Sequence, residues 1–595
     1  MGSKRQRQRR EPHTEPAAKA APGEHAEPGH RFAGRISDFL EGHSRVLAIA
    51  AVVLASVRII ATYHVFNHTP DEPAHVACGM QYLDKGVYTW EPQHPPLARV
   101  ATAIGPYLIG DRSAGMHPDA SGIAMFREGA LILYEHSQYD LALALARAGV
   151  LPFFWIACGV VFAWGVRYFT RAVAALAVIF FSFVPPVLAH SGLATTDIAL
   201  TAFLAATFLA GRIWIETPSR RNAALLGLAG GLMMLSKFSC VVFLPCSTAL
   251  ALLWYLRRTR PGLGNLLTAA RERIPSLALA GAIAFMVVWA GYRFSFGHTP
   301  ALSFSVPFPE LFTGIKQVEA HNARGHVSYL LGSVSGSGFW LFFPVALGVK
   351  TPLGFLALLA VGAVLAFRKQ SPFDQLWLPL AFSAGVFFIS MFSRINIGVR
   401  HILPVYVGFS LLAAFAALHL LRVGSEKPSA GASRLAIPAS LVFMAWFAIS
   451  SLISHPDYLA YFNEIAGSHP ENILVDSDLD WGQDQKRLGQ RLKELGVKEL
   501  YFEPWIVDDI YHDGFPTTFF ANRFVPSPGW NAVSVTQWKE QWKPSLQPVW
   551  PDLVPPLERV GKAMLLWHFD EVRGAPPQRR VEVHDRYLEG TIPPR

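Results

Sequence analysis

Eleven apolar runs constrain this chain more than any other feature. They lie at about 46–63, 142–165, 172–190, 196–215, 222–236, 239–256, 276–293, 343–366, 375–392, 398–421 and 435–453. Each is near the roughly 20 residues that a helix needs to cross a bilayer, with 222–236 falling short. Backbone polar groups inside hydrocarbon must be satisfied within their own segment, so such runs become membrane helices. Only 16% of the 595 residues are charged, against roughly 25% in a soluble protein. The expectation is a polytopic α-helical membrane protein of about eleven spans, with a lipid bilayer as its solvent.

Charge gives the orientation. Five of the first ten residues are basic, and further arginines and lysines cluster at 167–171, 212–221, 257–273, 368–369 and 422–434. An N-terminus inside and eleven spans put all of these on the cytoplasmic side, which is the positive-inside pattern. The net charge of +9 is explained this way without a nucleic-acid partner. The expected location is a cell (inner or plasma) membrane, with the N-terminus cytoplasmic. Residues 1–45 read as a disordered basic tail, 46–453 as the transmembrane domain, and 454–595 as an extracytoplasmic domain. The long loops 64–141 and 294–342 fall outside too. Four scattered cysteines offer neither a disulfide framework nor zinc spacing.

The external segments are not featureless. Thr69-Pro70-Asp71-Glu72 reads as a helix start, Thr69 as N-cap and Glu72 closing a capping box. Val76, Met80 and Leu83 then give one apolar face, as for a helix lying on a membrane surface, and 96–109 and 122–134 suggest further interfacial helices. In the tail, strands at 473–475, 499–502, 530–536 and 563–569 and an amphipathic helix at 483–495 describe a small α/β domain. The acidic stretch 476–484 has acids at the first, third and fifth positions of a calcium loop. However, Gly482 stands at the seventh and Arg487 at the twelfth, so a structural turn is the better reading.

Certain motifs carry a resemblance. Asp71-Glu72-Pro73-Ala74-His75 is followed by Gly79, Tyr82-Leu83 and His94-Pro95-Pro96-Leu97. Then come Ala194-Thr195-Thr196-Asp197, Leu235-Ser236-Lys237-Phe238, Lys350-Thr351-Pro352-Leu353 and Gly398-Val399-Arg400-His401. In this order they resemble the GT-C class of membrane glycosyltransferases, within it the protein O-mannosyltransferase-like branch that uses polyprenyl-phosphate-linked sugars. The segments from His455 to Glu464 and from Asp476 to Asp484 resemble a bacterial subgroup. The likeness covers about 46–490. It implies a polyprenyl-phosphate-linked sugar as donor and a protein, lipid or glycan hydroxyl as acceptor.

That chemistry needs a base for the acceptor proton and cations for the departing phosphate. Asp71 is the expected general base. Glu72 is a supporting catalytic acid or an acceptor-positioning group, or else only the capping residue. Lys237, Lys350, Arg400 and His401 are the expected phosphate ligands, against the alternative that the lysines merely snorkel from span ends. The resemblance adds Asp197 as a cavity residue, and His75 and His94 are placed there with it. His94, before two prolines, has the alternative of stiffening a loop. A divalent metal on Asp71, Glu72 and His75 lacks three convincing ligands and is left open. The competing class is a polytopic transporter or lipid flippase. Such proteins often show inverted repeats and midplane polar sites, whereas here no repeat is evident and the polar residues gather on one face.

Overall fold

The computed structural model describes residues 28–117, 122–134, 138–368, 373–426, 434–503, 508–543, 548–572, 580 and 582–583. Seven of the described helices are long and apolar enough to cross a membrane: Gly34–Ile60, Tyr139–Tyr168, Asp197–Glu216, Cys240–Thr259, Leu263–Gly291, Val405–Ser425 and Ala436–Ile453. The chain is a multi-pass membrane protein. Two further apolar segments are broken. Arg171–Phe183 meets Pro185–Ser191 at 66°, and Phe342–Lys350 meets Leu353–Ala366 at 117°. The straight spans expected at 172–190 and 343–366 are therefore bent. Pro185, Pro186 and Pro352 offer no N–H and clash with the preceding turn, which hydropathy alone does not register. Arg220–Met234 and the apolar stretch Asp374–Ser390 are shorter helices. A Cβ on Gly227 would overlap the Ala280 carbonyl, so the small residue lets Arg220–Met234 close against Leu263–Gly291.

The first span starts early. Its helix runs Pro28–Ile60, so residues 28–45, expected to be disordered, are helical. Residues 1–27 lie outside the described residues. The first long loop folds into helices Asp71–Met80, Pro96–Ile109 and Ile123–Tyr134. Asp71–Met80 is not a surface helix. Every residue from Glu72 to Met80 is buried, because the other two helices cover it. A Cβ on Gly79 would overlap the Arg99 carbonyl, and one on Gly129 the Pro73 carbonyl. By contrast, Pro96–Ile109 exposes Ile104 and Leu108, a face suited to a bilayer surface.

The C-terminal domain holds a five-stranded mixed sheet, ordered Thr517–Phe519, Glu499–Tyr501, Gly529–Ser534, Met564–Phe569, Glu558–Val560. The first two pairings are parallel and the last two antiparallel. Helix Gln485–Glu494 packs on one face through Leu488 and Leu492, with Ala532 and Leu566. The next residue in each of two strands alternates to the other face. There Val533 and Trp567 meet Trp550 and Tyr329, the last from the loop 294–342. The strand expected at 473–475 does not form. That stretch runs between single 3-10 turns at Pro470–Asn472 and Asp476–Asp478.

The domain docks on the first loop around buried Asp508. Tyr134 donates to one of its oxygens, and Asn67 Nδ2 and Gln485 Nε2 each donate to the other at 3.2 Å. Burial, and then the charge of Asp508, push neighbouring Asp513 up to about 9. A carboxyl whose pKa is raised by folding takes up a proton as the chain folds, so it favours the folded state at low pH. That contribution is lost as pH climbs from about 4 toward 9. We expect thermal unfolding of the purified protein to fall in temperature over this window, and Asp513→Asn to flatten the dependence. Parallel curves for the two proteins would assign the effect elsewhere.

Candidate active site

Two helix starts and two turns converge at one end of the helix bundle. Asp71 opens helix Asp71–Met80, and Asp197 opens the span Asp197–Glu216. Both carboxylates lie where a helix presents its positive end. Lys237 stands in the turn between Arg220–Met234 and Cys240–Thr259. Arg400 sits in the 3-10 turn Val399–Ile402, just before the span that begins at Val405. Lys237 Nζ donates to Asp197 Oδ1 at 2.6 Å, and Arg400 Nη1 donates to Asp71 Oδ2 at 2.8 Å. Arg400 Nη1 is also 3.8 Å from Asp197 Oδ2, which has no hydrogen-bond partner among the described residues. The result is a ladder of alternating charge, Asp71–Arg400–Asp197–Lys237. Pairing is what makes burying it tolerable. The side chain of Asp197 is 1% exposed and that of Arg400 6%, whereas Asp71 remains 33% exposed. Asp71 is the group that faces outward.

Glu72 is placed differently from Asp71. Its side chain is fully buried, and Arg147 grips both oxygens at 2.8 and 2.9 Å. The amides of Ala194 and Thr69 donate to it at 2.9 and 2.8 Å. Burial alone would raise its pKa, but Arg147 and these amides together hold it below the usual carboxylate range. The capping reading is half realised. Glu72 takes the Thr69 N–H, while the Thr69 hydroxyl donates to Glu72 instead of capping the helix. With both oxygens occupied, Glu72 is a clamp between the first loop, the second span and the approach to Asp197. This geometry gives Glu72 a structural part beside the supporting catalytic one expected of it.

Lys350 stands apart from the ladder. Its Nζ is buried and donates to the carbonyls of Leu459, at 2.7 Å, and Asp478, and lies 4.2 Å from the Phe462 ring centre. The bend at Thr351-Pro352 turns this lysine into the C-terminal domain instead of toward Asp197. His401 stays with the cluster. Its Nε2 is buried without a partner among the described residues, and burial, then Lys237 and Arg400, lower its pKa well below the ordinary imidazole value. His75 Nδ1 accepts from Arg99 Nε at 2.9 Å, and its ring meets His94 edge-on at 5.4 Å. His94 contacts Glu91, which also pairs with Arg99. These two histidines thus belong to an Arg99–Glu91 network that braces the loop beside the site. Asp71, Glu72 and His75 each engage a different arginine and do not share one point. Among the described residues no group of three or more His, Cys, Asp or Glu converges as metal ligands would.

Sequence reasoning passed over three contributors. Ser477 accepts from Arg400 Nε at 3.2 Å, and the Trp481 ring lies 4.1 Å under the Arg400 guanidinium. His190, from the short helix beyond the 66° break, is buried with its ring 6.4 Å from Trp481. The run from Asp476 to Asp484 was the available signal, since four acids and a tryptophan in nine residues are unusual for a mere turn.

Residues 146–270, about a fifth of the chain, match the family model described as dolichyl-phosphate-mannose-protein mannosyltransferase. No curated protein matches the chain in sequence. Among solved structures, ArnT from Cupriavidus metallidurans bound to undecaprenyl phosphate is 13% identical, with a TM-score of 0.47 over 89% of this chain and 99% of that one. The Archaeoglobus fulgidus oligosaccharyltransferase tethered to an acceptor peptide is 14% identical, with a TM-score of 0.45 over 71% and 56%. The archaeal oligosaccharyltransferase AglB from Archaeoglobus fulgidus, with an inhibitory peptide and a dolichol-phosphate, is 12% identical, with a TM-score of 0.44 over 83% and 70%. Likeness at this level carries no argument about chemistry.

The clamp generates a stability test. Glu72→Ala leaves Arg147 buried and unpaired, which costs about 3–5 kcal/mol. It should lower the unfolding temperature and the yield of folded protein more than Asp71→Asn, whose position is partly exposed and which leaves Arg400 beside Asp197 and Ser477. Equal unfolding temperatures for the two variants would contradict the assignment of Glu72.

Proposed function

We propose that this GT-C-class, mannosyltransferase-like glycosyltransferase moves a sugar from a polyprenyl-phosphate donor to an acceptor hydroxyl on the extracytoplasmic face of its membrane. The observation that carries the reading is the Asp71–Arg400–Asp197–Lys237 ladder. It sets an accessible carboxylate beside two cations at one end of a helical bundle. The matched family's description, with its lipid-phosphate sugar donor, supports the donor class. The arginine- and lysine-rich loops of the sequence support the sidedness.

In the donor, the phosphate is a diester bearing one negative charge. As the bond from the anomeric carbon to the phosphate oxygen breaks, the leaving polyprenyl phosphate gains a second. Arg400 and Lys237 meet that growing charge, an interaction stronger in the transition state than in the ground state. The acceptor oxygen forms the new bond to the anomeric carbon. Its proton passes to Asp71, whose Oδ2 is oriented by Arg400 while the carboxylate faces outward. Asp197 does not touch the acceptor in this scheme. It keeps Lys237 and Arg400 close together, which like charges would otherwise resist. Acceptors among proteins, lipids and glycans are all compatible with this arrangement.

In a reconstituted assay with radiolabelled polyprenyl-phosphate sugar, Asp71→Asn should transfer about 10²–10⁴-fold more slowly, the usual scale for a positioned base. Lys237→Ala and Arg400→Ala should each cost about one to two orders of magnitude, as for loss of a charge-assisted contact. Asp71→Asn that folds and still transfers at the wild-type rate would overturn the mechanism. Uptake of a labelled solute into proteoliposomes without any transfer would replace the enzyme by a transporter.

A further inference from the structure

The C-terminal domain reaches into the ladder through one loop, which grips the turn that carries Arg400. Asp478 Oδ1 accepts the Val399 N–H at 2.9 Å. The Ser477 hydroxyl accepts from Arg400 Nε and donates to the Ile397 carbonyl. The Trp481 indole lies face-on to the guanidinium at 4.1 Å. Gly398 allows this approach, since a Cβ there would overlap Ser477 Oγ. The loop is itself rigid. Asp480 accepts from the Thr536 amide at 2.7 Å, and Thr536 Oγ1 donates back to the Asp480 carbonyl at 2.7 Å and accepts from Asp476 N at 3.0 Å. Lys350, missing from the ladder, holds the same loop through the Asp478 carbonyl.

An arginine can rotate about four side-chain bonds, and its fork is useful only when pointed at its target. Here Ser477 fixes the Nε edge, Trp481 fixes the plane, and Asp71 takes Nη1. We propose that Ser477 and Trp481 are positioning residues that aim the Arg400 guanidinium at the donor phosphate, so that the catalytic centre of the membrane domain is complete only with the C-terminal domain docked. This rests on the reading of Arg400 as a phosphate ligand. A flat indole restrains a guanidinium without neutralising it, which leaves its charge for an anion. Asp71 and Asp197 come from the membrane domain, whereas Ser477 and Trp481 contribute aim without charge.

The test uses the full-length protein in detergent, with binding of a long-chain polyprenyl phosphate read by thermal shift and competition, beside transfer kinetics. Trp481→Ala should weaken binding about tenfold and Ser477→Ala about threefold, from the strength of such contacts. Trp481→Phe and Ser477→Thr, which keep the face and the hydroxyl, should return to within about twofold. KM for the donor should rise with these losses while KM for the acceptor stays level. In the Arg400→Ala background, Trp481→Ala should weaken binding no further. If Trp481→Ala and Ser477→Ala bind normally, or if their effects add in full to that of Arg400→Ala, the positioning role is wrong though Arg400 still binds phosphate. If Arg400→Ala alone binds normally, the underlying reading fails first. Should Trp481→Ala not fold, the near-isosteric Ser477→Ala and its cycle with Arg400→Ala decide the question.

Discussion

Arg400 is the point on which the site depends. Its guanidinium is almost wholly buried, and a buried guanidinium must be surrounded by acceptors or become prohibitively costly. Its partners come from three distant parts of the sequence: Asp71 in the first loop, Asp197 at the start of a span, and Ser477 in the C-terminal domain. Removing any of them leaves a charge that the remaining structure has to accommodate. The pairing therefore fixes how loop, bundle and domain sit against one another at that end of the molecule. The same pairing leaves two cations beside one outward-facing carboxylate. Structural necessity and proposed chemistry act through the same atoms.

Much of this was legible in sequence where the physics is local. All seven long helices lie under apolar runs, and the two broken ones differ only where prolines fall. The first-loop helices at 96–109 and 122–134 appear almost as their patterns suggest, because periodicity and helix-start residues act over a few turns. The strand at 473–475 failed for the opposite reason. A strand exists only with a neighbour to pair with, and that stretch is instead tied by Leu331 N to the Ile473 carbonyl and by the amides of Ile473 and Leu474 to the Pro470 carbonyl.

The site residues divide in the same way. Asp71, Asp197, Lys237 and Arg400 share one face because each lies at the same end of an apolar run, and counting spans is enough to see that. Lys350 meets the same criterion, yet the 117° bend turns it toward the Leu459 and Asp478 carbonyls. Glu72 sits next to Asp71 in sequence, yet one helical step of about 100° separates an outward acid from a buried one. No pattern within a single element distinguishes these cases, because the difference lies in what packs against them.

The Glu72–Arg147 clamp has a consequence for how the protein is made. Arg147 lies within the described segment Tyr139–Tyr168, long enough to cross the membrane, and a lone arginine in a spanning helix opposes membrane insertion, by up to about 2.5–3.5 kcal/mol at the helix centre. Its counter-ion precedes it in the chain, so Glu72 has already been synthesised when Arg147 emerges. The amide of Ala194, which completes the clamp, arrives two helices later. The clamp is thus built from residues that leave the ribosome in the order Glu72, Arg147, Ala194, the last of them three residues before Asp197.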